Sequence, residues 1–191
     1  MKNIFLGITG ASGAVYAIRL LEELNKRDFN VSLTVTDDGL ININLELSAS
    51  YSSSEDFVND FGFTNVTLYH YRDFAAPVSS GSNTADLCLV APASMGCVGR
   101  IASGISSNLV ERCADVVLKE NKKLLLLVRE APYNSIHLRN MLYLSEIGVT
   151  IMPASPAFYY NPSNIDDMIN FIVGKIFDIM GIEHNLFKRW T

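Results

Sequence analysis

Paired cysteines are missing from this chain. Its three, Cys88, Cys97 and Cys113, are odd in number and lack metal-ligand spacing, which points to reduced thiols in a cytoplasmic protein. Histidine is equally scarce. His70, His137 and His184 form no cluster with carboxylates, so no zinc or other metal centre is expected. No apolar run approaches the length of a membrane-spanning helix; Leu124 to Val128 is strand-sized. The chain opens on a strand rather than on a charged region, an apolar segment and a cleavage site, so no signal peptide is expected. Only 18% of residues are charged, the net charge is -5, and no basic stripe appears, which argues against nucleic acid as the main partner. Lys119, Lys122 and Lys123 form the one local basic cluster, at a helix end where cations suit the dipole.

What is present is apolar and ordered. The 191 residues suit one α/β domain spanning 1–191, and 49% hydrophobic content points to surface covered by further subunits. The segment Lys2 to Gly13 organises the chain: an apolar strand, then Gly7-Ile8-Thr9-Gly10-Ala11-Ser12-Gly13, then apolar residues at helical spacing from Ala14 to Leu24. A strand, glycine turn and helix N-terminus make an anion site, because the helix's first N–H groups are free. Its glycine spacing is not Gly-x-Gly-x-x-Gly, so NAD is not implied.

Further strands are expected over Phe29 to Val35, Val66 to Tyr71, Leu87 to Ala91, Lys123 to Arg129 and Val149 to Met152. Helices are expected over Leu40 to Ser50, Val98 to Ser103, Asn108 to Glu120, Ser135 to Ile147 and Ile165 to Met180, with Asp37 or Asp38 capping the first of these. Tyr51 to Thr64 reads as a surface loop or short helix, and His70 as a core residue of the third strand. The alternation predicts a single doubly wound, Rossmann-like three-layer domain with a mostly parallel six-stranded sheet. Ligands in such sheets bind outside the carboxyl ends of the strands where strand order reverses. The first strand and the Leu87 strand are expected to flank that reversal, so that Thr9 to Gly13 faces Pro92 to Cys97.

The crevice loops offer hydroxyls from Ser12, Thr36 and Ser94 and small residues at Gly10, Ala11, Ala93 and Gly96, suited to a phosphate and a flat heterocycle. Arg129-Glu130 emerges from a buried strand and reads equally as a surface ion pair. Glu46 sits among apolar neighbours, with exposed placement an open alternative. Tyr159 lies in an aromatic run between prolines, while Lys119 and Lys175 read by default as solvated helix lysines.

Several stretches together resemble the UbiX-type flavin prenyltransferases, related to the flavin-binding cysteine decarboxylases. They are Gly7 to Tyr16, Ser79 to Ser82, Pro92 to Gly96, Arg112 to Glu120, Leu127 to Pro132, Met152 to Tyr159 and Leu186 to Trp190, in the family's order. The resemblance implies binding of reduced FMN and dimethylallyl monophosphate, prenylation at flavin N5, ring closure at C6, and release of prenylated FMN for a UbiD-type decarboxylase. Whether that product serves quinone synthesis or aromatic-acid breakdown stays open.

The resemblance also implies roles. Gly10, Ala11 and Ser12 fall at the FMN phosphate, with Thr36 in place of the family's usual serine. Ser94, Met95, Gly96 and Cys97 form the second flavin turn, and Arg129 contacts the flavin. Lys119, Arg129, Glu130, Tyr159 and Lys175 hold the dimethylallyl phosphate, Lys175 being arginine in some relatives. Glu46, with Ser12 and Glu130, is catalytic and moves a proton during ring closure. A homo-oligomer is implied, often a dodecamer, with no nucleic acid or membrane partner. Two further readings stand beside this one: a decarboxylase of the cysteine-decarboxylase kind and a non-catalytic FMN carrier. Against the decarboxylase, the second turn has no asparagine and Met152-Pro153-Ala154-Ser155 is not that group's Met-Asn clasp.

Overall fold

Parallel neighbours need long return connections, so a chain of alternating apolar and amphipathic segments is driven to place helices on both faces of its sheet. The computed structural model describes residues 2–190; Met1 and Thr191, the ends of the expected domain, lie outside the described residues. Strands β1 (Lys2–Ile8), β2 (Phe29–Val35), β3 (Val66–Leu68), β4 (Leu87–Ala93), β5 (Lys123–Val128) and β6 (Thr150–Pro153) pair in the order β3-β2-β1-β4-β5-β6. Every pairing is parallel. The chain runs outward from β1 to β3, then returns to lay β4 against the other side of β1, so strand order reverses at the expected place.

The intervening helices are α1 (Ala14–Asn25), α2 (Asp37–Leu47), α3 (Ser54–Phe61), α4 (Met95–Ala102), α5 (Leu109–Lys119), α6 (Ser135–Glu146) and α7 (Ile165–Met180). Alternation along the strands splits the core in two. Ile4, Leu6, Ile8, Leu89, Leu125 and Leu127 point to the layer of α1, α2, α3 and α7. Phe5, Cys88, Val90, Leu124, Leu126 and Val128 point to α4, α5 and α6. All seven residues of β4 are buried, as a central parallel strand requires.

Several expected boundaries move. The first helix after β2 starts at Asp37, and the cap is Thr36 rather than either aspartate: its hydroxyl accepts the Gly39 N–H at 3.1 Å. Asp37 and Asp38 occupy the first turn, where carboxylates suit the dipole. Gly39 is required there, because a Cβ would stand 2.7 Å from the Ile8 carbonyl oxygen. The polar stretch after α2 holds α3, started by a capping box between Ser53 and Asp56 and anchored by buried Phe57. Strand β3 stops at Leu68, leaving His70 exposed in the following loop against Tyr71 instead of in the core. Strand β4 continues past Pro92, where its register with β5 shifts; a proline inside a sheet is tolerated at such an irregularity. Helix α4 begins earlier than expected, at Met95, because Ser94 caps it. Among the described residues no helix is long and apolar enough to cross a membrane.

Candidate functional site at the strand reversal

The turns after β1 and β4 meet at the reversal, and Thr9 ties them together. Its side chain is buried; the hydroxyl donates to the Pro92 carbonyl at 2.8 Å and accepts the Ser94 N–H at 2.9 Å. These two hydrogen bonds, one buried and one partly buried, are each worth about 1 kcal/mol and fix the spacing of the two turns. Sequence reasoning passed over Thr9; its signal is a hydroxyl on the last residue before the glycine turn.

The N-terminus of α1 is capped from a distance. Gly13, at φ 111°, has no side chain to offer. Glu46 of α2 supplies the cap, one carboxylate oxygen accepting the Gly13 N–H at 2.6 Å and the other the Val15 N–H at 3.2 Å. A carboxylate suits this helix end, and with one bond on each oxygen it retains acceptor capacity. Glu46 is therefore aimed inward at the turn, not exposed as the open alternative held. Burial, and then the Glu46 charge, push the neighbouring Tyr16 hydroxyl above its ordinary value.

From the end of β5, Arg129 reaches over β4 to this same turn, its Nε–H donating to the Ser12 carbonyl at 3.1 Å. Glu130 turns to its own chain and accepts the Ala131 N–H at 3.0 Å. The two therefore do not spend their charges on one another. Ser12 leaves its side chain exposed between these groups. Gly10 is exposed and Ala11 buried; a Cβ on Gly10 would stand 2.5 Å from the Asp38 Cβ, so glycine lets the turn close against α2.

On the facing turn, Ser94 accepts the Cys97 N–H at 3.3 Å. Gly96 is exposed, whereas Met95 and Cys97 lie in the core beneath it. Burial, with the Glu111 charge adding, pushes the Cys97 thiol up to about 12, so it stays a thiol at neutral pH and contributes by packing and by its backbone. Ala93, expected to leave room for a ring, is fully buried in β4. Thr36 has its hydroxyl engaged twice, donating to the Ile8 carbonyl at 3.3 Å besides capping α2. The N–H groups of Ser12, Ala14, Met95 and Gly96 have no acceptor among the described residues. Two helix starts with free N–H groups, an exposed serine hydroxyl and an arginine around one crevice fit a phosphate joined to a flat ring.

The remaining expected residues do not gather there within one chain. Lys119 ends α5 beside Glu120, its Nζ 3.2 Å from Glu120 Oε1, at the edge where the strands begin. Arg129 follows β5 at the opposite edge, and six residues of strand separate the two edges by about 20 Å. Lys175 lies far along α7, about half-exposed and 3.4 Å from Asp178 rather than free in solvent. Tyr159 stands in the loop after β6, edge-on to Trp190 at 5.1 Å between ring centres. That contact, and the ion cluster on Asp178 that accompanies it, carry no periodic signal in the sequence.

A doubly wound sheet with this crevice defines a nucleotide- or flavin-binding protein class. Residues 1–177 match the family described as Flavoprotein. The flavin prenyltransferase UbiX of Aquifex aeolicus (strain VF5) is 46% identical over 192 residues, covering 100% of this chain and 99% of the relative. Among solved structures, AnUbiX in complex with FMN and dimethylallyl pyrophosphate superposes with a TM-score of 0.90 at 35% identity, covering 100% of this chain and 97% of that one. A dodecameric FMN-dependent UbiX-like decarboxylase from Escherichia coli O157:H7 also reaches 0.90, at 37% identity and 99% coverage of both chains. The chain belongs to the UbiX flavin prenyltransferase family of flavoproteins.

Proposed function

We propose that residues 1–191 act as one flavin prenyltransferase domain that joins a dimethylallyl group from dimethylallyl monophosphate to N5 and C6 of reduced FMN, giving prenylated FMN. The observation that carries this reading is the crevice between the β1 and β4 turns, where Glu46, Ser12 and Arg129 converge in a chain similar end to end to flavin prenyltransferases. Reduced FMN, when bound, supplies the nucleophilic ring positions and an electron-rich face.

The protein's share is positioning and charge. Gly10, Ala11 and Ser12 cradle the FMN phosphate, with the free N–H groups at the start of α1 as donors, and Thr36 borders them with its hydroxyl spent on Ile8 and Gly39. Ser94, Met95, Gly96 and Cys97 form the second wall, and Arg129 holds the flavin against the Ser12 turn. On the donor side we assign the dimethylallyl phosphate to Arg129 and Glu130 of this crevice, joined by Tyr159 and Lys175 of a further copy of the chain. Breaking its allylic C–O bond leaves negative charge on phosphate, which fixed cations stabilise. Glu46 moves the proton as the fourth ring closes, giving one to the prenyl alkene and accepting the one lost from C6, assisted by Ser12 and Glu130.

Lys119 fits this set if a second copy of the chain brings its strand-start edge to the crevice. Exposed apolar residues on α6, among them Ile136, Leu138 and Leu142, support a homo-oligomer, and the dodecameric relative sets the size we propose. We place the protein in the cytoplasm, in keeping with three buried free thiols, and take a UbiD-type decarboxylase as recipient of its product.

Gly10→Ala should push the turn off Asp38 at an overpacking cost of about 1–3 kcal/mol. Fluorescence titration is expected to show FMN affinity lowered by about ten- to a hundredfold in consequence. The reaction itself is tested by supplying reduced FMN with either dimethylallyl monophosphate or the pyrophosphate and following released phosphate. Stoichiometric inorganic phosphate from the monophosphate is the expected result. Consumption of neither donor would favour the FMN carrier, and carbon dioxide release from a cysteine-derived carboxylate would favour the decarboxylase.

A further inference from the structure

The chain does not end at α7 but doubles back along it. After Gly181 the segment from Ile182 to Trp190 returns toward the loop that carries Tyr159, and it lies in a seat built for it. Gly174 is buried on α7, and a Cβ there would stand 2.6 Å from the Phe187 ring and 2.7 Å from His184. Phe187 packs on Phe171 with ring centres 4.8 Å apart.

One carboxylate holds the strap. Asp178 Oδ1 lies 2.8 Å from a terminal nitrogen of Arg189 and 3.1 Å from His184 Nε2, while Oδ2 lies 3.3 Å from the other terminal nitrogen of Arg189 and 3.4 Å from Lys175 Nζ. Burial would raise the Asp178 carboxyl, but the Arg189 and His184 hydrogen bonds outweigh it and hold the group below its ordinary value. The His184 side chain is itself fully buried. The Arg189 guanidinium also sits 5.6 Å from the Phe187 ring centre, so the residue just before Trp190 is fixed on two sides. Trp190 then meets Tyr159, and the strap end, with Tyr160 and Asn161, bounds a cavity of about 200 Å³.

We propose that Asp178 is a positioning residue for the donor side of the site: by clamping Arg189 and His184 it seats Trp190 against Tyr159 and keeps that tyrosine aimed at the dimethylallyl phosphate. The proposal rests on Tyr159 serving the donor, as argued above. The clamp touches neither the FMN turns nor Glu46, so its loss should act on the donor alone.

Trp190 is the single tryptophan of the chain, so its emission reports the strap directly. In the FMN-bound protein, Asp178→Asn is expected to add a nanosecond component to the anisotropy decay of Trp190, cutting its slow fraction by half or more. The KM for dimethylallyl phosphate should rise about tenfold, with the KM for reduced FMN changed less than twofold. Arg189→Gln breaks the clamp from its exposed end, should behave alike, and carries the test if Asp178→Asn fails to fold. In a Trp190→Phe background, Asp178→Asn should add less than a further twofold to the donor KM. Asp166→Asn, which removes an exposed ion pair on the same helix, should change neither readout. An unchanged anisotropy decay overturns the clamp, and an equal tenfold rise in both backgrounds shows Asp178 acting through Lys175, which overturns the strap route. Inactivity of the unaltered protein toward the donor would instead overturn the functional reading, while the anisotropy measurement would still decide the clamp.

Discussion

Glu46→Gln is expected to slow formation of the four-ring flavin at least a hundredfold while leaving FMN affinity within about tenfold. The amide oxygen can still accept the Gly13 N–H now taken by the carboxylate at 2.6 Å, so the turn proposed to cradle the phosphate keeps its main tie. The amide loses the capacity to take up a proton, and a positioned acid–base group contributes about 10²–10⁴ in rate. The variant should therefore stall after attachment at N5, with the singly bonded adduct accumulating in absorbance and mass. Glu46→Ala separates the two duties of the residue. It also removes the cap on α1, at about 0.5–2 kcal/mol, and should weaken FMN binding as well as ring closure. Normal four-ring product from Glu46→Gln would remove Glu46 from the chemistry and leave it as a cap.

Arg129→Ala should be the most damaging change to binding and rate together. Arg129 links the end of β5 to the Ser12 carbonyl at 3.1 Å, and the same guanidinium is assigned to both the flavin and the departing phosphate. Losing hydrogen bonds from a charged group costs about 1.5–3 kcal/mol, or roughly ten- to a hundredfold in FMN affinity. Losing charge stabilisation of the leaving group lowers kcat by a further factor of about 10²–10³. Arg129→Lys should recover little, because lysine has no Nε–H in a fixed fork to meet the Ser12 carbonyl while still reaching a ligand. FMN titration and steady-state kinetics on the three proteins give both numbers. A lysine variant as active as the parent would reduce Arg129 to a point charge.

The fold was legible because its signals are local and repeated. Apolar strand runs alternate with helical spacing, which points to a parallel sheet, and the reversal expected between β1 and β4 is where the strand order places it. The two glycine- and serine-bearing turns could be paired from that rule before any geometry was known. What stayed hidden depends on competition or on distance. Thr36 outcompetes Asp37 and Asp38 as a cap because it closes β2 and its hydroxyl reaches both Ile8 and Gly39, a choice that composition does not express. The serine run before α3 conceals a capping box that is clear once Asp56 is seen folded back. Glu46 was legible as an unusual carboxylate but not as the cap of another helix 33 positions away. Thr9, Asp178 and Trp190 act through contacts with no sequence period, so only the folded chain brings them forward. Lys119 and Arg129 are close in sequence yet at opposite sheet edges, a separation that linear proximity hides.

The central claim is that this crevice builds a carbon–nitrogen and a carbon–carbon bond on a reduced flavin. Its most direct test is anaerobic incubation of the protein with reduced FMN and dimethylallyl monophosphate, followed by mass analysis of the released flavin. A flavin heavier by one prenyl group, formed in step with inorganic phosphate, is the expected result. Recovery of unaltered FMN with the donor intact would contradict it.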